Sequence, residues 1–364
     1  MYLKNLEIVN FRNIDRMNLD FNKNVNIFIG KNAQGKTSIL ESIYNLAFTK
    51  SSKNFSDDEF LKRGKNFFKI KGTLKIGNAL KKMEVLYGND EKKVKINDVL
   101  IARISDYVSN MNVIMFTPDD LDIVKKAPLV RRSFINIELC QLYNKYLVVL
   151  NEYNKILKMR NEYIRKHYSN IDYNYLDVLT VNLIDRAMII YDYRDKYFDD
   201  INNYLEGIYY KIMKIHGLKV VYKKSIDLKT KEEYISFYKE NYFSDIEKGA
   251  TNFGPHKDDF SFYIDEEDIK FYGSQGMQRI AILSFKLAEI NLFKDVKNNY
   301  PIVLLDDIFS EIDLERRKNL LRFIKSNIQF IITTTDINNI SDRIIERASV
   351  FTVKEGQIVK RSDK

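Results

Sequence analysis

The chain has 364 residues, is 45% apolar, carries a formal net charge of +9 and contains one cysteine. That length suits two to three domains and that apolar content fills substantial cores, so a disordered chain is excluded. No apolar run nears the ~18 residues of a membrane span.

MYLKNLEIVNF at the amino terminus alternates like a strand and has no signal-peptide apolar block. A lone Cys140 forms no internal disulfide and reads as a core filler. Together these give the expectation of a soluble protein of a reducing cytosol, with no membrane partner. The positive balance favours a polyanionic partner, although a general abundance of lysine explains it equally well.

In chain order, residues 1–30 read as two strands, Tyr2–Val9 by alternation and Val25–Ile29 as a buried β-branched and aromatic run. Between them Arg12 either reaches a bound phosphate or is an ordinary surface arginine. Gly30–Thr37, GKNAQGKT, matches the P-loop pattern G-x-x-x-x-G-K-[ST] at every fixed position. Ser38–Phe48 then shows helical spacing, which completes the strand, loop and helix that the motif needs.

The chemistry of that loop follows from its residues. Gly30 and Gly35 allow a tight turn, so that N–H groups of Lys31, Asn32, Ala33 and Gln34 converge as an anion nest. The helix start adds its positive end. Lys36 supplies an ammonium for the β- and γ-phosphates, and Thr37 a hydroxyl for Mg²⁺. The cofactors expected are ATP and Mg²⁺.

Ser51–Lys65 is a polar loop in which Lys53, Lys62, Arg63 and Lys65 make either a solvated face or contacts to a nucleic-acid backbone. Residues 64–117 form a β-rich layer, with Phe67–Leu74 and Met83–Tyr87 alternating and Val113–Phe116 as a short buried strand. Pro118-Asp119-Asp120 reads as a helix start. Arg131–Lys166 and Val178–Ile212 are long helical stretches without a sustained heptad. Lys155, Lys158, Arg165 and Lys166 are either a basic stripe or a solvated face.

From Phe253 the character returns to α/β, with Phe260–Ile264 a strand and Met277–Phe293 a helix. Ser274, Gln275 and Gly276 at that helix start offer a second anion site. Pro301–Asp307 has the Walker B form, a buried parallel strand ending in carboxylates. Phe330–Ile332 is a further buried strand and residues 349–359 a final hairpin.

Asp306 stands beyond Lys36 by far more than the ~100–150 residues of a typical domain. One nucleotide-binding domain, split over 1–117 and 246–364 by an inserted mainly helical domain at 118–245, explains the gap. Asp306 then holds Mg²⁺ opposite Thr37, and Asp307 orients or deprotonates an attacking water. A second anion site at Ser274–Gly276 makes most sense acting across an ATP-dependent homodimer.

The loop GKNAQGKT, the stretch GSQGMQR at Gly273–Arg279 and LLDDIFSEID at Leu304–Asp313 resemble the ABC-type ATPase heads of SMC-like proteins. MFTPDDLDIVKKAPLVRRSFIN at Met115–Asn136, KILKMRN at Lys155–Asn161 and GPHKDD at Gly254–Asp259 resemble, more specifically, the RecF family of bacterial recombination-repair proteins. The resemblance covers essentially the whole chain. It implies an α/β head with a compact helical arm, which binds ATP and DNA and hydrolyses ATP slowly. It implies a role at single-strand gaps and single-/double-strand junctions beside RecR and RecO, placing RecA, with links to replication and the SOS response in the cytoplasm near the nucleoid.

By that resemblance Arg12 contacts phosphate, Ser274, Gln275 and Gly276 are the trans signature, Asp306 is the magnesium acid, Asp307 the catalytic acid, and Asp313 belongs to the dimer-facing loop. The sequence departs from the wider pattern at Asp307, where glutamate is usual, at Thr333–Asp336, where a switch histidine is usual, at Met277, where RecF-type chains often carry glutamine, and near Thr117, where no junction glutamine is evident. A transport motor and a DNA clamp with a vestigial nucleotide site remain as other readings. ATP-stimulated DNA binding would separate the first reading from both.

Overall fold

A computed structural model describes residues 1–51, 56–324 and 327–363, without the side chain of Glu311. The chain divides into two compact units. The first holds Met1–Leu121, Gly207–Ile215 and Arg279–Lys364, and the second Asp122–Glu206 and His216–Gln278.

The first unit is built on two six-stranded sheets. One runs in the order Gln357–Asp363, Ala348–Lys354, Val25–Ile29, Phe330–Thr334, Ile302–Asp306, Val113–Phe116. Every neighbouring pair in it is parallel except the outermost, Gln357–Asp363 against Ala348–Lys354. Its strands Val113–Phe116, Ile302–Asp306 and Phe330–Thr334 are buried throughout, which is why they begin as apolar runs. The register places Val303 beside Phe330, and Phe330 beside Val25. The carboxyl ends of the Walker B strand and the P-loop strand are thereby brought to one edge, although they lie in opposite halves of the sequence.

The other sheet is antiparallel, in the order Ile14–Asp20, Tyr2–Phe11, Phe67–Ile76, Ala79–Gly88, Glu91–Ile96, Val99–Leu100. Alternate residues of Phe67–Ile76 are buried, as one-sided packing requires. Residues 1–30 therefore carry three strands, one more than expected. Ile14–Asp20 buries only Ile14, Met17 and Leu19, an irregular spacing that hides its period. The helix Lys36–Phe48 lies between the two sheets and is buried along nearly its whole length.

The second unit combines helices Pro128–Leu142, Asn144–Lys166, Lys231–Glu240 and Tyr242–Lys248 with the start of the long helix Tyr173–Met213 and a three-stranded antiparallel sheet. The stretch read as one helix over Arg131–Lys166 is two, broken at Tyr143, whose backbone is extended at φ −133°. Asp259–Ile264 pairs with Leu218–Lys223 and not with the parallel sheet of the first unit. This pairing, with the ion pairs Arg131–Asp259 and Arg194–Asp258, carries the second unit on to Gln278, beyond the expected boundary at 245.

Two arginines organise this unit's interior. Arg160 is fully buried, ion-paired to Asp245 at 2.8 Å and bonded to Thr251 Oγ1 at 2.6 Å and Thr180 Oγ1 at 3.0 Å. The neighbouring Lys155, Lys158, Arg165 and Lys166 are all exposed. Arg194 joins Asp258, Pro255 O and Asn136. GPHKDD and KILKMRN thus supply internal struts.

His256 belongs to the same network. Its Nε2–H donates to Thr251 O at 3.0 Å, which in the neutral ring leaves Nδ1 to accept from the Tyr153 hydroxyl at 2.7 Å. Burial pushes its pKa down from the usual 6.5 to about 4. A depressed folded-state pKa means that the unfolded chain binds the proton first. The stability from this group is therefore present above pH 6.5 and lost as pH falls towards 4. The loss should be on the order of 3 kcal/mol. Urea unfolding across that range should show His256→Gln losing less stability on acidification than the unaltered chain. Parallel losses would contradict it.

Candidate functional site

The sequence Gly30–Thr37 leaves the end of Val25–Ile29 and feeds straight into the helix at Lys36. Gly35 has φ 105°, and a Cβ there would lie 2.8 Å from Asn13 Nδ2. A Cβ on Gly30 would lie 2.5 Å from Val353 O. Gly30 is thus fixed by a close neighbour, and Gly35 by a close neighbour and by its left-handed backbone. The Lys36 ammonium folds back over the loop and donates to Gly30 O at 2.6 Å and Lys31 O at 2.8 Å. Burial lowers its pKa, against the raising influence of Asp307 and Asp306.

The distant acids come to the same place. Thr37 Oγ1 donates to Asp306 Oδ1 at 3.1 Å, a contact between residues 269 apart in the chain. Thr333 Oγ1 donates to the same oxygen at 2.7 Å. Asp307 turns away from the strand with φ 48°, and its N–H donates to Thr333 Oγ1 at 3.1 Å. A cavity of about 350 Å³ is lined by Arg12, Asn13, Asn32, Lys36, Thr37, Asp306 and Asp307. Arg12 reaches it from a left-handed turn at φ 52°, ion-paired to the buried Glu41 at 2.6 Å and lying over the Phe60 ring.

The donor set fits a polyphosphate with a hard divalent cation. It offers a convergent loop at a helix start, a cation held by carbonyls instead of a carboxylate, and a hydroxyl beside a carboxylate. Thr37 and Asp306 are the pair that would hold Mg²⁺, which supplies charge neutralisation for the phosphates.

Other predicted residues lie elsewhere. Ser274 and Gln275 are exposed in the second unit, where Ser274 Oγ accepts from Met277 N at 3.3 Å as the helix cap. Asp313 caps helix Leu314–Leu321 by accepting from Arg316 N at 3.1 Å. Lys62 is tied to Asp15 at 2.5 Å, while Arg63 and Lys65 are exposed. Lys53 lies outside the described residues.

The sequence reading missed Asn13, Thr333 and the task of Gln34. Gln34 points away from the cavity. Its Oε1 accepts from Glu355 N at 2.9 Å, and its carbonyl accepts from Gly356 N at 2.9 Å. Asn13 Oδ1 accepts from Ser38 Oγ at 2.9 Å. The turn of the terminal hairpin therefore braces the loop from outside, and the first turn of the chain holds the helix start at Ser38 from the cavity wall. Asn13 follows Arg12 directly, which is the only sequence signal for it. Gln34→Ala removes one of two braces, and we expect the affinity for a phosphate ligand to fall about 5- to 10-fold, the worth of one hydrogen bond of ~1 kcal/mol. Equilibrium titration with a fluorescent ATP analogue reads this, and unchanged affinity would contradict it.

Comparison with known proteins defines the class first. The chain matches the RecF/RecN/SMC N terminal domain family over residues 2–359. A crystal structure of an SMC head bound to the C-winged helix domain of ScpA shares the fold, with a TM-score of 0.57 and 15% identity over 100% of this chain and 97% of that one. The fold is that of an ABC-type ATPase head.

Closer relatives then fix the family. The DNA replication and repair protein RecF of Halalkalibacterium halodurans is 36% identical over 99% of this chain and 100% of its own length. A structure of the recombination mediator protein RecF-ATP in the RecFOR pathway superposes with a TM-score of 0.91 at 27% identity, covering 99% of this chain and 97% of that one. This chain belongs to the RecF family of DNA replication and repair proteins.

Proposed function

We propose that this chain is an ATP-switched DNA-binding protein of recombinational repair and replication. The observation that carries the reading is the Thr37–Asp306 contact, which joins the P-loop to the Walker B carboxylate in one pocket. In this reading Gly30, Lys31, Asn32, Ala33, Gln34 and Gly35 supply the backbone cradle, and Lys36 and Arg12 bind phosphate oxygens. Thr37 and Asp306 hold Mg²⁺. Asp307 orients the attacking water and takes its proton. Its side chain is one methylene shorter than the usual glutamate, which suits slow turnover.

ATP closes a homodimer in which Ser274, Gln275 and Gly276 of the twin reach the phosphate bound here, with Asp313 in the facing loop. The dimer binds duplex DNA beside single-strand gaps and acts with RecR and RecO to place RecA. Lys62, Arg63 and Lys65, and Lys53 by sequence position, are the candidate DNA contacts. Relatives named for DNA repair and a RecF-ATP structure support this reading.

Anisotropy on a gapped duplex, with and without ATP, tests it. ATP-stimulated binding that weakens steeply with salt is expected, because contacts to phosphate release counterions. Nucleotide-blind or salt-insensitive binding would contradict it. In sedimentation, ATP should raise the mass of the unaltered chain but not that of Ser274→Arg. Unchanged monomer mass in both would reject the dimer.

A further inference from the structure

Strand Val25–Ile29 ends in the phosphate loop. At its other end the first unit holds a second cavity, of about 400 Å³. At ~3.3 Å per residue the two ends are roughly 15 Å apart, too far for one small ligand to bridge. The floor of this cavity is apolar, made by Val25, Leu321, Ile324 and Ile344. Its rim is cationic. Lys318 and Arg322 are four residues apart in sequence, as are Arg343 and Arg347, and all four are exposed.

No carboxylate is among the described residues that line it, and Asp342 and Glu346 lie exposed outside the lining. Arg322 donates to Asn319 Oδ1 at 3.2 Å. Lys318, Arg343 and Arg347 show no ion pair among the described residues.

Like charges held close together repel, and four cations lining one hollow raise the local potential further. An anion would relieve this. A bare phosphate gains nothing from the apolar floor, whereas a large apolar side chain removes that floor from water. Guanidinium forks also match carboxylate geometry. We propose that this cavity docks an acidic segment of a partner protein, with one large apolar side chain on the floor and flanking carboxylates paired to Lys318, Arg322, Arg343 and Arg347. This inference is independent of the nucleotide reading.

The test uses the full chain and an array of fluorescein-labelled, Asp/Glu-rich peptides of about twelve residues, each with a central Phe or Leu pair. Arg343→Glu with Arg347→Glu should weaken the bound peptides at least ~10-fold, the equivalent of ~1.4 kcal/mol. Replacing the apolar pair by serine should weaken them several-fold. Arg343→Gln with Arg347→Gln, a milder pair for use should charge reversal unfold the chain, should weaken them about 5-fold with an unchanged melting temperature. Lys36→Ala should leave peptide binding unaltered. The proposal is overturned if no peptide of the array binds, if the arginine variants bind as well as the unaltered chain, or if the serine peptides bind equally. It is also overturned if the arginine variants lose a gapped duplex and the peptides alike and the duplex displaces the peptides, which would make the cavity a DNA phosphate site.

Discussion

Lys36→Ala should lower ATP affinity by about 100-fold while leaving the chain folded. The Lys36 ammonium is buried and sits on two carbonyl oxygens of its own loop, Gly30 O and Lys31 O, so it is held in place and not neutralised. Burial, which lowers its pKa, carries a desolvation cost for this charge. Phosphate oxygens return that cost through charge-assisted hydrogen bonds worth ~1.5–3 kcal/mol each, and two of them amount to about two decades in affinity. Titration with a fluorescent ATP analogue reads the loss, and far-UV circular dichroism confirms the fold. Lys36→Arg should be nearly as damaging, since a planar fork cannot follow the same path over the loop. Near-native affinity in the alanine variant would mean that phosphates do not approach Lys36.

The largest stability effect is expected from Arg194→Ala. Arg194 and Asp258 are almost wholly buried, 2.9 Å apart. The guanidinium also donates to Pro255 O at 2.8 Å, Asn136 Oδ1 at 3.1 Å and Tyr146 Oη at 3.2 Å. Asp258 in turn accepts from Ser225 N at 2.8 Å and from the Tyr222 hydroxyl. Truncating the arginine leaves a buried carboxylate without its counter-charge and strands several acceptors, which costs about 3–5 kcal/mol. Urea unfolding followed by circular dichroism should show that loss. Arg194→Lys should recover little, because a single ammonium cannot span acceptors on Asn136, Pro255 and Asp258. A loss under about 1 kcal/mol would show that the network is solvated and not structural.

The contrast between these residues explains what the sequence could disclose. The loop Gly30–Thr37 was legible as a motif because its glycines, lysine and hydroxyl stand at the fixed spacing that phosphate chemistry demands. The Walker B strand was legible because a strand buried on both faces must be apolar until its end. The union of Thr37 with Asp306 followed from the two motifs needing each other.

Arg160 and Arg194 were not legible, because nothing local separates a buried arginine from exposed neighbours such as Lys158 and Arg165; their partners Asp245 and Asp258 are distant in sequence. The affiliation of Asp259–Ile264 was missed for the same reason, since its alternation announces a strand but not the sheet it joins. The bracing contacts of Gln34 with Glu355 and Gly356, and of Asn13 with Ser38, were not legible because they are a matter of tertiary contact alone.

In the proposed function, residues from opposite halves of the chain enclose one triphosphate. The direct measurement is a crystal structure of the chain with a non-hydrolysable ATP analogue and Mn²⁺, the metal located by anomalous scattering. The phosphates should lie along Gly30–Thr37 within reach of the Lys36 ammonium, with the metal at the Thr37 hydroxyl facing Asp306. Phosphates bound elsewhere, or a metal remote from Thr37 and Asp306, would contradict the account.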